Sequence, residues 1–125
     1  MIDHASIAVR DLAISAALYE CILAPLGLDR LVDRTNTVGF GKKYPDLWLN
    51  HRPTLPPLSE NTGAHVCLRA PDVDAVRNFH DEALAHGCRD AGQPGLRRAT
   101  VTTYFGAFIF DLDGNKIEAI SFPSV

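Results

Sequence analysis

The feature that most narrows what this chain can fold into is an internal repeat. His4 precedes Asp11 by seven residues, and His65 precedes Asp72 by seven. Gly27 follows the first aspartate by sixteen residues, and Gly87 follows the second by fifteen. Between these markers each half reads alike: an alternating strand, an aspartate placed to cap a helix, an apolar stripe at helical spacing, and a glycine that stops it. A period of roughly 60 residues with this content implies two copies of one supersecondary unit, each burying its apolar face with help from the other.

In the first half, residues 2–9 read as a strand with Ile7 and Val9 on one face and His4, Ser6 and Ala8 on the other. Asp11 caps a helix over about 12–24, with Leu12, Ala16, Tyr19 and Leu23 along one side, before Pro25 and Gly27 end it. Strands are expected at 28–34, 36–42 and 46–50, and the proline-rich stretch 51–62 reads as a linker. The second half restarts with a strand at 64–70 and a helix opened by Pro71-Asp72, striped by Val73, Val76, Phe79 and Ala83. Residues 88–100 are too rich in Gly and Pro to promise more than a short strand, and a hairpin over 103–110 and 114–122 completes the set. The expected organisation is one domain of two strand–helix–strand–strand–strand repeats, 1–50 and 63–125, joined by the linker 51–62.

Composition excludes several functions. A net charge of −3 without a basic cluster offers no footprint for nucleic acid. No apolar run approaches the roughly 20 residues of a membrane span, and no basic segment followed by an apolar stretch opens the chain. Cys21, Cys67 and Cys88 are odd in number and lie in regular elements. That pattern reads as reduced thiols and a cytoplasmic location. Cys67 is either a nucleophile or a small buried apolar residue.

The chemistry concentrates on three strand positions. In the stretch 111–120, DLDGNKIEAI, a tight Asp-Gly turn leads into a strand whose Glu118 sits among Ile117, Ala119 and Ile120. Glu118 either faces water on an edge strand or has a partner, because an unpaired buried charge costs several kcal/mol. Alternation puts His65, Cys67 and Arg69 on the face opposite Val66 and Leu68, and Lys116, Glu118 and Ile120 opposite Ile117 and Ala119. His4, His65 and Glu118 therefore all point away from the helices. P-loop, dinucleotide-binding glycine, Cys-x-x-Cys and nucleophile-elbow motifs are missing.

The paired modules, the opening H-x-S-I-A-V-R-D-L, the second H-V-C-L-R-A-P-D and the closing D-L-D-G-N-K-I-E-A-I resemble the vicinal oxygen chelate superfamily. Glyoxalase I, extradiol dioxygenases, fosfomycin-resistance enzymes and bleomycin-resistance proteins belong to it. The resemblance implies an α+β fold of two tandem βαβββ modules forming a cupped mixed sheet around a central metal site, commonly in a homodimer. It implies metal ligands at His4, His65 and Glu118. The fourth ligand position falls on Trp48, which cannot coordinate a metal. Two histidines and one carboxylate with open positions suit Fe or Mn, with Ni and Zn also compatible. The implied function is a glyoxalase- or dioxygenase-like metalloenzyme that chelates a small oxygenated metabolite, its metal acting as a Lewis acid. The alternative is a metal-free binding protein of the bleomycin-resistance type.

Around that centre, Tyr104 is the candidate catalytic proton donor, with a packed strand-end tyrosine as its plain reading. Trp48, Asn50, Cys67, Arg69 and Phe108 form the candidate substrate-binding set, Trp48 and Asn50 as a wall where the missing ligand would stand. Arg97 and Arg98 read as loop arginines, either gating the pocket or solvated. His51, His80 and His86 read as surface or linker residues.

Overall fold

The computed structural model describes residues 1–123. The first module runs β1 (Ala5–Val9), α1 (Leu12–Leu23), a short 3-10 turn (Ala24–Leu26), β2 (Asp29–Asp33), β3 (Thr37–Gly41) and β4 (Pro45–His51). The second repeats the order with β5 (Val66–Arg69), α2 (Val73–Ala85), β6 (Arg89–Arg98), β7 (Thr103–Phe110) and β8 (Lys116–Ser121). The repeat is thus structural as well as sequential. The side chains of Asp11 and Asp72 accept hydrogen bonds from the amides of Ile14 (3.0 Å) and Ala75 (2.8 Å), each satisfying a donor that the helix cannot. Gly27 (φ 80°) and Gly87 (φ 92°) turn the chain away at the far ends in the left-handed region, where a side chain would be strained.

Each module builds its own four-stranded mixed sheet, in the orders β1-β4-β3-β2 and β5-β8-β7-β6. The first strand of each module pairs in parallel with the last, Ser6 beside Trp48 and Cys67 beside Glu118, while the other pairings are antiparallel. Alternate residues then bury against the helices. Val38, Phe40, Leu47 and Leu49 do so in one sheet, and Phe105, Ala107, Ile109, Ile117 and Ala119 in the other. They meet Tyr19, Ile22 and Leu23 of α1 and Val76, Phe79 and Ala83 of α2. Each large side chain so buried contributes about 1.5–3 kcal/mol, enough to fix which face of each strand is left for chemistry.

The DLDGN turn proves to be a clamp between modules. The Asp111 carboxylate accepts from Tyr19 Oη (2.6 Å), Asn115 Nδ2 (3.0 Å) and the amides of Asp113 and Asn115 (2.9 and 2.8 Å). Asp113 Oδ1 accepts from the Arg10 amide and guanidinium, both at 3.0 Å, and Asn115 Nδ2 donates to the Ala8 carbonyl. A hairpin turn of module two is thereby tied to β1 and α1 of module one.

Three expectations are corrected. Residues 89–98 form a ten-residue strand, not a short one. As an edge strand it absorbs its glycines and Pro94 through two register shifts, Asp90 to Gly92 and Gly92 to Gly95. His80 is a core residue, 2% exposed, whose Nε2 lies 2.8 Å from Asp90 Oδ1. That hydrogen bond is the main reason the Asp90 carboxyl titrates below its usual range. Arg97 and Arg98 are strand residues of β6.

Candidate functional site

The sheet faces turned away from the helices carry the polar residues. In module two, Glu118 stands opposite Phe108 across β7–β8 and beside Cys67 across β5–β8, so these residues share one face. Glu118 is 4% exposed. Its Oε1 lies 3.2 Å from Nε2 of His65, the residue just before β5, and its Oε2 is buried with no hydrogen-bond partner among the described residues. A buried carboxylate oxygen left unpaired costs about 1–3 kcal/mol, an unusual expense in a well-formed sheet. The edge-strand, water-facing alternative for Glu118 is therefore wrong: β8 lies between β5 and β7.

Around this carboxylate, the Phe108 ring meets the His65 ring at 5.6 Å, and the Arg97 guanidinium and Lys116 Nζ lie over it at 5.2 and 4.8 Å. Tyr104, opposite Arg97 across β6–β7, is raised above its ordinary phenol value by burial and by the Glu118 charge, so it holds its proton. Cys67 is an exposed residue of this face, not an apolar core thiol. Desolvation of its sulfur, with the Glu118 carboxylate beside it, pushes the thiol up to about 12, which removes the thiolate a nucleophile needs. Arg69 stacks on Phe122 at 4.6 Å.

In module one the equivalent face presents Ser6, Trp48 and Asn50. Trp48 lies flat across Gly39, where a Cβ would come within 2.9 Å of its ring, and Arg34 covers it at 5.7 Å. The Asn50 side-chain carbonyl accepts from Thr37 Oγ1 at 3.0 Å. His4 lies outside β1, exposed, its Nδ1 bonded to Asp3 at 2.7 Å. The ligand atoms of His4, His65 and Glu118 do not all lie within 4.8 Å of one another in a single chain; only the His65–Glu118 pair meets. The structure therefore brings together His65, Glu118, Cys67, Tyr104 and Phe108 in one hollow and Trp48 and Asn50 on the equivalent face of module one, with His4 outside the His65–Glu118 group.

Two further places gather polar groups, one beside these faces and one behind them. A cavity of about 350 Å³ lies where the modules meet, lined by Ser6, Ala8, Leu58, His65, Asn115 and Lys116. On the helical side, Cys21, Glu82 and His86 are the one group of three potential metal-ligating side chains within 4.8 Å among the described residues. His86 is thus no isolated surface residue, although its Nδ1 is also bonded to the Glu82 carbonyl. Arg97, read from sequence as a loop arginine either gating the pocket or solvated, and Lys116, read only as sharing the face of Glu118, both lie over Phe108 beside that carboxylate. The period-2 alternation of 95–98 was the signal that could have found Arg97, but the surrounding Gly-Pro content hid it.

Compared with known proteins, the chain matches the Glyoxalase/Bleomycin resistance protein/Dioxygenase superfamily over residues 1–119. A comparison with curated proteins returned no match. Among solved structures, it is similar to a glyoxalase/bleomycin resistance protein from Albidiferax ferrireducens T118 (24% identity, TM-score 0.84, 95% of this chain and 97% of that one). A glyoxalase/dioxygenase from Nostoc punctiforme superposes with TM-score 0.73 at 22% identity, covering 99% of this chain and 92% of that one. The fosfomycin resistance protein FosX from Listeria monocytogenes does so with TM-score 0.68 at 14% identity, over 98% and 93%. These likenesses establish the fold.

Proposed function

Because this chain belongs to the Glyoxalase/Bleomycin resistance protein/Dioxygenase superfamily, we propose that it is a metal-dependent enzyme acting on a small oxygen-chelating metabolite, with a site shared between two copies of the chain. The observation that carries this reading is the Glu118 carboxylate, buried beside His65 with one oxygen unpartnered. A divalent cation supplies the positive charge and acceptor satisfaction that this oxygen lacks, and imidazole plus carboxylate is a donor set that Fe, Mn, Ni and Zn all accept. His65 and Glu118 would hold it, with His4 contributed by a second copy. The open sheet edges β1 and β5, and a module-one face with its own histidine, fit that homodimeric arrangement.

When bound, the metal would supply Lewis acidity to the chelated substrate oxygens. The chain's own residues do the rest. Tyr104 keeps its phenol proton and donates it, as a hydrogen bond or outright, at Oη. Phe108 walls the hollow beside Glu118, and Trp48 of the opposing copy closes it where a fourth ligand would otherwise stand. Cys67 stays a neutral thiol and lines the pocket without attacking. Ring-cleaving oxygenation, isomerisation and thiol transfer all begin from such a chelate.

The test is metal content after reconstitution. Wild type is expected to retain close to one divalent ion per chain, and His65→Ala and Glu118→Ala to lose it. Wild type that binds no Fe, Mn, Ni or Zn would overturn the enzyme reading in favour of a metal-free binding protein.

A further inference from the structure

Charge on the module-two face is out of balance. Glu118 is the carboxylate there, while Arg97, Lys116 and Arg69 bring three cations to the same strands and the same side. None of the three has a carboxylate partner among the ion pairs of the described residues. Each rests on an aromatic ring instead: Arg97 and Lys116 on Phe108, Arg69 on Phe122.

Arg97 is held most firmly. Its side chain runs back along β6 over Gly92, where a Cβ would lie 3.0 Å from Nη2 and 3.0 Å from the Phe108 ring, so a larger residue there would press on both. Nη2 donates to the Gln93 carbonyl at 2.8 Å. Nε is buried and has no acceptor among the described residues. On the neighbouring strand, Tyr104 leans over Gly106, where a Cβ would come within 3.1 Å of its ring. Two glycines thus give room to a guanidinium and a phenol that are cross-strand neighbours on the β6–β7 side of Glu118. A guanidinium fixed by stacking and one hydrogen bond, with a second donor desolvated and unused, is prepared for an anion in a planar, directional geometry. The two orphaned buried atoms among the described residues, Arg97 Nε and Glu118 Oε2, are a donor and an acceptor on one face. One ligand can satisfy both only if it carries an anionic group in addition to what sits at Glu118.

We infer that this hollow selects a ligand bearing a carboxylate beside its two chelating oxygens, with Arg97 binding the carboxylate and Lys116 adding a second positive charge. The inference rests on the metal-centred reading of the same hollow for the chelating half of the ligand. The carboxylate half depends on Arg97, with Lys116 in support, and can be tested without metal.

The probes are 3,4-dihydroxybenzoate and catechol, which differ by the carboxylate, titrated calorimetrically into metal-free and Mn(II)-loaded full-length protein. Wild type is expected to bind the acid about tenfold more tightly than catechol, as one charge-assisted hydrogen bond provides. Arg97→Gln should bring the two within about threefold while Mn(II) affinity holds, and Arg97→Lys should keep an intermediate preference, having charge without the fork. Preference in the metal-free protein that survives when Mn(II) fails to bind would support the anion subsite and reject the metal reading. Equal binding of the two probes by wild type, or binding of neither, would overturn the inference. So would an Arg97→Gln variant that weakens self-association but leaves the preference intact, since Arg97 would then serve an interface.

Discussion

Asp111 and Glu118 stand on the same hairpin, both buried, and they behave as opposites. Every oxygen of Asp111 is spoken for by Tyr19, Asn115 and two amides, whereas Glu118 keeps one oxygen without a well-formed hydrogen bond among the described residues. The first is a structural carboxylate; the second has the signature of one retained for a ligand. Glu118→Ala is therefore expected to leave the metal-free protein as stable as wild type or up to about 2 kcal/mol more so, because an unpaired buried charge is removed. Urea midpoints measured in the presence of a chelator check this; a loss of stability would mean that Glu118 is a packing residue. Tyr19 and Cys88 supply a pH prediction. Burial first, then the charge of Asp111, raises both, Cys88 from 9.0 to about 12 and Tyr19 well above 10.0. Groups whose folded values exceed their unfolded ones favour the folded state below the unfolded value and lose that advantage as pH climbs toward the folded one. The unfolding midpoint should hold to about pH 9 and fall steadily above it. A flat profile to pH 11 would show that neither group is desolvated.

At the scale of elements, β6 and the β3–β4 turn show glycine doing two different things. In β6, Gly92 makes room for a guanidinium, and the register shifts around it let an edge strand run ten residues through Gly-Pro sequence. At Gly41 the constraint is steric and local. A Cβ there would stand 2.0 Å from the Tyr44 carbonyl oxygen, inside the turn that launches β4 and hence Trp48. Gly41→Ala should cost roughly 2 kcal/mol or more, since the obstacle is backbone and cannot swing aside. Thermal unfolding is the direct measurement, and a midpoint within a degree of wild type would contradict the crowding.

For the whole molecule, what matters is that the two modules are clamped at their backs, through α1, α2 and the Asp111–Asn115 turn, while His4 remains apart from His65 and Glu118. If the ligands are shared between copies, mixing His4→Ala with Glu118→Ala should restore metal binding that neither variant shows alone. One site in each mixed dimer then carries both lesions and the other carries none. Recovery of up to about half of the sites, after co-refolding to exchange subunits, is the expected result. No recovery in mixtures shown to contain mixed dimers would place the ligands within one chain.

How much was legible beforehand divides along the range of the forces involved. The repeat, both aspartate caps, the two closing glycines and the faces of β5 and β8 could all be read from sequence, because capping, helical spacing and strand alternation act over a few residues. His65 and Glu118 could be named for the same reason: each sits at a definable point of a locally determined strand. Arg97, His80 and the clamp made by Asp111 and Asp113 could not. Their roles depend on partners that are distant in the chain, such as Phe108 for Arg97, Tyr19 for Asp111 and Arg10 for Asp113. Whether a polar atom is satisfied is likewise a property of the assembled structure, and the unpartnered oxygen of Glu118 and nitrogen of Arg97 became visible only there. Sequence alone determined which modules form and which residue types face away from the helices. Tertiary structure decided which of those residues meet, because bringing them together is the work of non-local packing and register.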